Sequence, residues 1–329
     1  MPDKVRWGIV STANIGVAKV IPGIQKSPHS EVVAIASREL SKAKAVADRL
    51  GIRKAYGSYE DLLADPGIDA IYNPLPNHLH VPVTIAATKA GKHVLCEKPI
   101  AMNAAEAERL RECPRDKLVL EAFMVRFHPQ WHRVREIVRS GELGEVRAIR
   151  AVFSYYLTDP ANVRNIAEIG GGGLMDIGCY PITGSRFVFE SEPRRVVSLV
   201  ERDPDFGTDR LSTGILDFGS ARATFTVGTR VHPHQRVEVL GEKGSLSLGL
   251  PFNAYPDVPM KLEIRTGLGT REVAAGPLDQ YAELFAAFSR ALRSGAPAPT
   301  PVADGIANMA VLDSLFRSAE RGGWVEVEG

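Results

Sequence analysis

The chain has 329 residues, room for two domains of ordinary size, and its 44% hydrophobic and 24% charged residues are a mix that can bury a core. Forty basic residues against 39 acidic ones leave a net charge of +1, which argues against nucleic acid or an anionic membrane as a bulk electrostatic partner. Three cysteines (Cys96, Cys113 and Cys179) without a CxxC pair, no signal-like amino terminus and no apolar run of about 18–20 residues predict a soluble cytoplasmic protein with free thiols.

The first 120 residues alternate strand-like and helix-like segments. "VRWGIV" is an apolar strand running into "STANIG", where the three glycine positions of a dinucleotide-binding turn read Ser11, Ala13 and Gly16. The replacements are small, so backbone can still approach a pyrophosphate, and Ser11, Thr12 and Asn14 add donors. A plain strand–turn–helix is the other reading. A helix over residues 15–26 stops at Ser27-Pro28, and "EVVAIAS" is the continuous apolar run of a strand buried on both faces. It ends in Ser37-Arg38, about 20 residues past Gly16, where an NAD enzyme offers a carboxylate to the ribose 2′-hydroxyl. A hydroxyl and a guanidinium suit a 2′-phosphate instead, which favours NADP over NAD; a surface arginine is the alternative.

Ser41 is expected to cap "KAKAVADRL", which Gly51 ends, and Ser58 to cap "YEDLLAD". "DAIYNPLP" is the next strand, and "YNPLPNHLH" forms a loop at the carboxyl edge of the sheet, where open α/β folds bind ligands. His78 and His80 diverge at a helix start, and His128 and His132 lack an acidic partner, so no metal site is expected. A helix over residues 81–90 stops at Gly91. "HVLCEKP" then sets Glu97 and Lys98 at a strand end, with Pro99 forcing the chain out of the sheet. Lys98 either points into a cofactor crevice or is solvated. Asn103 is expected to cap "AAEAERLRE", and "LVLEAF" closes a series of βα units that predicts a doubly wound parallel sheet over residues 1–122.

From residue 123 the pattern changes. A helix over residues 128–139 ends at Ser140-Gly141. "EVRAIRAVFSYYL", "RRVVSLVER", "STGILDF", "ARATFTVGT" and "RVEVLGEKGSLSL" alternate as half-exposed strands, with a hairpin turn at Gly241-Glu242-Lys243-Gly244. Residues 281–293 and 303–321 read as helices and "WVEVE" as a last strand. Residues 123–329 are thus expected to form an α+β domain with a large open antiparallel sheet, its C-terminal helix packing back toward the first domain. No later segment covers the outer face of that sheet, which predicts a homodimer or higher homo-oligomer through it. Within this half, "IGGGGLMDIGCYPI" (169–182) reads as a packed glycine turn leading into a helix. Asp176 and Tyr180, four apart, share a face of it. A carboxylate beside a phenol suits hydroxyl binding and proton transfer; a capping aspartate beside a core tyrosine is the alternative.

"EKP" at 97–99 followed by "GGGLMDIGCY" at 171–180 resembles the glucose–fructose oxidoreductase / inositol dehydrogenase / MocA (Gfo/Idh/MocA) family, and the resemblance covers essentially the whole chain in order. "WGIVSTANIG" and "EAFMVRFHPQW" resemble its NADP-linked aldose (xylose) dehydrogenase and dihydrodiol dehydrogenase branch. Ser11 and Ala13 depart from the family's glycines. The resemblance implies Lys98, Asp176 and Tyr180 as catalytic residues, with Tyr180 at the acid/base position. It implies cofactor contacts from Ser11, Thr12, Ala13, Asn14, Ile15, Ser37, Arg38, Leu75, Pro76, Asn77, His80, Glu97, Lys98, Arg126, Arg164 and Tyr281, the last two near the nicotinamide or the substrate.

The implied activity is hydride transfer between NADP and a sugar or polyol carbon, with aldose 1-dehydrogenation (D-xylose or D-glucose type) first. Ketosugar reduction or trans-dihydrodiol oxidation would use the same residues. A free tyrosine, pKa about 10, is a poor base at neutral pH, so a Lys98 ammonium beside Tyr180 is expected to favour its phenolate. A sugar-sensing regulator that holds the dinucleotide without turnover is the reading of another class, and it needs no proton path.

Overall fold

A computed structural model describes residues 4–328, which fall into two compact units. One runs to Met124 and resumes over Asp279–Ile306; the other holds Val125–Leu278 and continues from Ala307.

In the first unit, β1 (Val5–Val10) leads through a π turn (Gly16–Val20) into α1 (Ile21–Lys26), then β2 (Ser30–Ala36), α2 (Leu40–Leu50), β3 (Lys54–Tyr56), α3 (Tyr59–Ala64) and β4 (Ala70–Asn73). α4 (His80–Lys89), β5 (His93–Cys96), α5 (Ala104–Glu108) and β6 (Val119–Glu121) follow. The strands form one parallel sheet in the order β3-β2-β1-β4-β5-β6. The order reverses between β1 and β4, and ligands of doubly wound sheets bind at such a switch point. The strands are apolar and almost wholly buried because helices must cover both faces of a parallel sheet.

Several predicted punctuation marks are in place. Gly51 ends α2 in the left-handed region (φ 68°), and Ser58 and Asn103 accept the N–H of Asp61 and Glu106. Ser41 is not the cap of α2. The helix starts two residues earlier, with Glu39 at its N-cap, because the N–H groups of Lys42 and Ala43 already reach the Glu39 carbonyl at 3.1 and 3.2 Å. β3 was not anticipated: three residues with no fully buried side chain carry too little pattern.

The second unit contains α6 (Pro129–Arg139), β7 (Val146–Tyr156), α7 (Cys179–Phe189), β8 (Arg195–Arg202), β9 (Asp209–Asp217), β10 (Arg222–Gly228), β11 (Arg230–Gly241), β12 (Gly244–Leu248), β13 (Met260–Thr266) and β14 (Gly269–Ala275). Its nine-stranded sheet runs β14-β13-β12-β11-β7-β10-β9-β8-β15, with β15 (Val325–Glu326) at the edge. The sheet is mixed, not purely antiparallel, since β10 pairs with β7 in parallel. The connection carrying α7 is a crossover, which sets β8 parallel to β7; two further reversals then bring β10 alongside β7 in the same sense. β13 and β14 were not anticipated: β14 is an edge strand without a buried side chain, whereas β13 does alternate, burying Met260, Leu262 and Ile264, and was passed over.

Two helices lie between β14 and β15: α8 (Gln280–Ser294) and α9 (Val302–Arg321). α8 and the start of α9, to Ile306, belong with the parallel sheet, and from Ala307 onward α9 is counted with the second unit. α8 buries Tyr281, Leu284, Phe285, Phe288 and Ala291, a helical stripe. The Phe285 ring meets Trp7 at 4.7 Å and Tyr72 at 5.5 Å, and Phe288 meets Trp7 at 5.1 Å. Each fully buried phenylalanine contributes about 1.5–3 kcal/mol through removal from water.

Candidate active site

At the switch point of the parallel sheet, β1 ends in a backbone shape a glycine would normally take. Ser11 has φ 117°, and its hydroxyl accepts the Ala13 N–H at 3.0 Å. The side chain that replaces the first glycine therefore braces the turn it strains. The N–H groups of Thr12, Asn14, Ile15 and Gly16 have no hydrogen-bond partner among the described residues. Four such N–H groups at a helix start suit a diphosphate. Gly16 has room: a Cβ there would meet only Pro74 at 3.7 Å and Tyr72 at 3.8 Å. At the end of β2, Ser37 is buried while Arg38 is exposed, with no ion pair or hydrogen bond among the described residues.

The loop after β4 is shaped by Asn73, a residue the sequence reading passed over. Its amide donates to the His80 carbonyl at 3.2 Å and its oxygen accepts the Leu75 N–H at 3.3 Å. His80, fully enclosed, sets one ring nitrogen 2.6 Å from the Leu75 carbonyl and the other 2.7 Å from that of Pro99. It thus joins the loop of Leu75, Pro76 and Asn77 to the "EKP" turn. Burial pushes its pKa down to about 4, and the Lys98 charge acts in the same direction. A neutral ring can donate to only one of the two carbonyls, so the second contact pulls the other way.

Glu97 accepts the Tyr72 hydroxyl at 2.6 Å and the Lys98 N–H at 3.2 Å. Burial, then the Glu97 charge, pushes the Tyr72 phenol well above its usual range. Lys98 therefore follows a carboxylate tethered to the core of the sheet. Tyr281 packs on α1, where a Cβ at Gly23 would come within 2.8 Å of its own Cβ.

In the second unit a second π turn (Leu174–Gly178) precedes α7. Such turns are frequent at functional sites. Asp176 lies in it. Its Oδ2 accepts the Arg164 Nε–H and the Tyr155 hydroxyl, both at 2.8 Å. The Asp176 carboxylate holds the Arg164 guanidinium charged, and the burial of Tyr155 itself, followed by the Asp176 charge, pushes the Tyr155 phenol up. Tyr180, 4% exposed, is fixed by rings: Phe153 edge-on at 5.6 Å and Phe252 tilted at 5.6 Å. Phe252 is itself anchored, its N–H donating to Gln235 at 2.9 Å. The Arg126 guanidinium lies 5.7 Å from the Phe187 ring centroid.

The glycine run is a packed turn. Gly171 and Gly172 donate to the carbonyls of Ile166 and Arg164, both at 2.9 Å. On the other side lies Asp209, 2% exposed, whose Oδ2 accepts the Leu174 N–H at 2.6 Å and the Ser212 hydroxyl at 2.8 Å. Burial pushes its pKa up. Neither Asp209 nor Tyr155 was picked out from the sequence. Only the glycines carried a signal, since a run of them marks close approach of something. Among the described residues no group of three or more His, Cys, Asp or Glu is placed to hold a metal ion, and no helix is long and apolar enough to cross a membrane.

Residues 5–125 match the family model "Oxidoreductase family, NAD-binding Rossmann fold", and residues 131–247 match "GFO/IDH/MocA C-terminal domain". The chain belongs to the Gfo/Idh/MocA oxidoreductase family. Within it, the chain is 48% identical over 334 residues to an uncharacterized oxidoreductase, ORF334, of Rhizobium meliloti, covering 99% of this chain and 100% of that one. It is 39% identical over 328 residues to D-xylose 1-dehydrogenase (NADP(+)) 2 of Haloferax volcanii, covering 98% and 99%. Among solved structures of the family fold, KijD10, a 3-ketoreductase from Actinomadura kijaniata in complex with NADP and TDP-benzene, superimposes with a TM-score of 0.91 at 28% identity over 96% of this chain and 98% of that one.

Proposed function

We propose that the chain is an NADP-dependent sugar dehydrogenase, an aldose 1-dehydrogenase of the D-xylose or D-glucose type. The observation that carries this reading is the Asp176 carboxylate, fixed by Arg164 and Tyr155 one helical turn ahead of the ring-clamped Tyr180. The xylose dehydrogenase of Haloferax volcanii, similar over nearly the whole chain, supports the substrate class. The unpartnered N–H groups of Thr12, Asn14, Ile15 and Gly16 suit the pyrophosphate, and Ser37 with the unengaged Arg38 suits a 2′-phosphate.

NADP, when bound, supplies the hydride acceptor. Tyr180 takes the hydroxyl proton in oxidation and returns it in reduction. Lys98, as an ammonium, favours the phenolate that this requires. Asp176 accepts a hydrogen bond from a neighbouring sugar hydroxyl and so orients the reacting carbon. Leu75, Pro76, Asn77, His80 and Glu97 shape the nicotinamide end, with Arg126, Arg164 and Tyr281 as further contacts. If Lys98 and Tyr180 serve one substrate, the Lys98→Ala and Tyr180→Phe losses are non-additive.

Mixing protein, NADP+ and a panel of aldoses while following reduced cofactor by absorbance tests the reading. Turnover should appear, and Tyr180→Phe should lower kcat about 100-fold or more. Tight NADP binding with no turnover in either direction overturns it in favour of a sugar sensor. A second reading, ketosugar reduction, is favoured by the likeness to the KijD10 3-ketoreductase, and the same panel run with NADPH and ketosugars or dihydrodiols separates it.

The same proposal extends to assembly. One cross-strand row of the nine-stranded sheet reads Leu199, Thr213, Thr226, Val152 and Arg236, with Leu199 79% and Val152 38% exposed. That face is suited to a second copy of the chain, and sedimentation should show a homodimer or higher homo-oligomer.

A further inference from the structure

The glycine turn before α7 has the form of a mould around one buried carboxylate. A Cβ on Gly172 would lie 2.1 Å from Asp209 Oδ1, and one on Gly173 would lie 3.1 Å from Oδ2. On the opposite side, a Cβ on Gly171 would lie 2.6 Å from the Arg164 carbonyl and 2.7 Å from that of Ile166. These glycines admit Asp209 on one side and the Arg164 loop on the other.

The contacts close into a circuit. Asp209 accepts the Leu174 N–H, the Asp176 N–H donates to the Gly172 carbonyl at 3.0 Å, and the Asp176 carboxylate accepts the Arg164 Nε–H. The Arg164 carbonyl returns to the Gly172 N–H, beside Asp209. A negative group at a helix start also suits the N–H dipoles there. We infer that Asp209 is a positioning residue for the hydride-transfer reaction: it fixes the start of the π turn, and through it the mutual geometry of Arg164, Asp176 and Tyr180. The inference rests on the proposed function for the identity of the reaction, but not for the circuit itself. In this circuit Asp209 acts on Asp176 and Arg164 through the backbone of the glycine turn.

The test compares Asp209→Ala, Asp209→Asn and Ser212→Ala in the full chain. The amide oxygen of asparagine can still accept the Leu174 N–H; alanine cannot. Asp209→Ala should lower kcat on the order of 100-fold, the scale of a misplacement of about 1 Å. NADPH affinity, read by fluorescence, should change far less than kcat, because the proposed pyrophosphate and 2′-phosphate contacts lie in the untouched parallel-sheet unit and Arg164 is only one contact at the nicotinamide end. Asp209→Asn should recover most of the loss, and Ser212→Ala, which removes one of two donors to the carboxylate, should fall between it and the native chain. Hydrogen exchange of the Leu174 amide should quicken about tenfold or more in Asp209→Ala and stay near native in Asp209→Asn.

Native kcat and native Leu174 exchange in Asp209→Ala would overturn the inference. So would equal kcat losses in the alanine and asparagine variants, which would make the charge rather than the acceptor the operative feature. If Asp209→Ala does not fold, the Asn and Ser212→Ala proteins decide by the same kcat-against-affinity split. If the native chain turns over no sugar, the proposed function fails on its own, while exchange at Leu174 still decides whether Asp209 holds the turn.

Discussion

Two helices of this molecule begin with a π turn, and their first N–H groups meet opposite fates. Before α1, the N–H groups of Thr12, Asn14, Ile15 and Gly16 stand without a partner among the described residues. Before α7, the Leu174 N–H is taken by Asp209, a carboxylate from a strand 35 residues away. The glycines follow suit: Gly16 has ordinary clearance, whereas Gly172 has none. A helix start needs negative charge near it. On the proposed function, the chain supplies its own where the helix holds Asp176 and Tyr180, and leaves the place to the cofactor's diphosphate at the other.

The sharpest test of this contrast is a pair of alanines. Gly172→Ala should destabilise the protein by about 3 kcal/mol or more, because φ 121° is strained for any Cβ and this one would collide with Asp209. Gly16→Ala should stay within about 1 kcal/mol of native, since alanine is the better helix former and nothing obstructs it. Urea denaturation measures both, and equal costs would erase the contrast.

Acid probes the loop beside the first helix. The pKa of His80, about 4 when folded against 6.5 when unfolded, means that the unfolded chain binds more protons between those values. Stability therefore falls as pH drops from 6.5 through 4, by roughly 3 kcal/mol from this group. A His80→Gln protein should lose that much less over the same window in urea titrations. His128, also about 4 when folded, acts with the same sign and remains in both proteins. Next in size, Arg38→Ala should raise the KM for NADP+ about 10- to 100-fold and leave that for NAD+ unchanged, as loss of a charge-assisted contact to a 2′-phosphate requires. Equal effects on both cofactors would remove the 2′-phosphate from the reading. The smallest expected change is that of Ser11→Gly: relief of the strain at φ 117° is offset by loss of the bond to the Ala13 N–H, leaving stability within about 1 kcal/mol.

What could be read from the sequence depended on how far the cause lay from the effect. The parallel sheet was legible because each apolar strand and each capping residue announces itself within a few positions, as Gly51, Ser58 and Asn103 do. The glycine run was legible as a packed turn, and Asp176 as a carboxylate in need of company. Only part of that company was legible, as Arg164: Tyr155 comes from β7, 21 residues earlier, and Asp209, which holds the Leu174 N–H and not Asp176, from β9, and neither position differs in pattern from an ordinary strand residue. The parallel pairing of β7 with β10 was hidden for a similar reason, since alternation reports which face is buried and not the direction of a neighbour.

Asp209 fills the space that a side chain on residue 172 would need, so position 172 cannot drift alone. A side chain at 172 first needs position 209 emptied, and even then must tolerate a left-handed backbone. Among descendants of this chain position 172 should vary only where position 209 has varied too, a bond of inheritance between a turn and a strand that share no covalent neighbour.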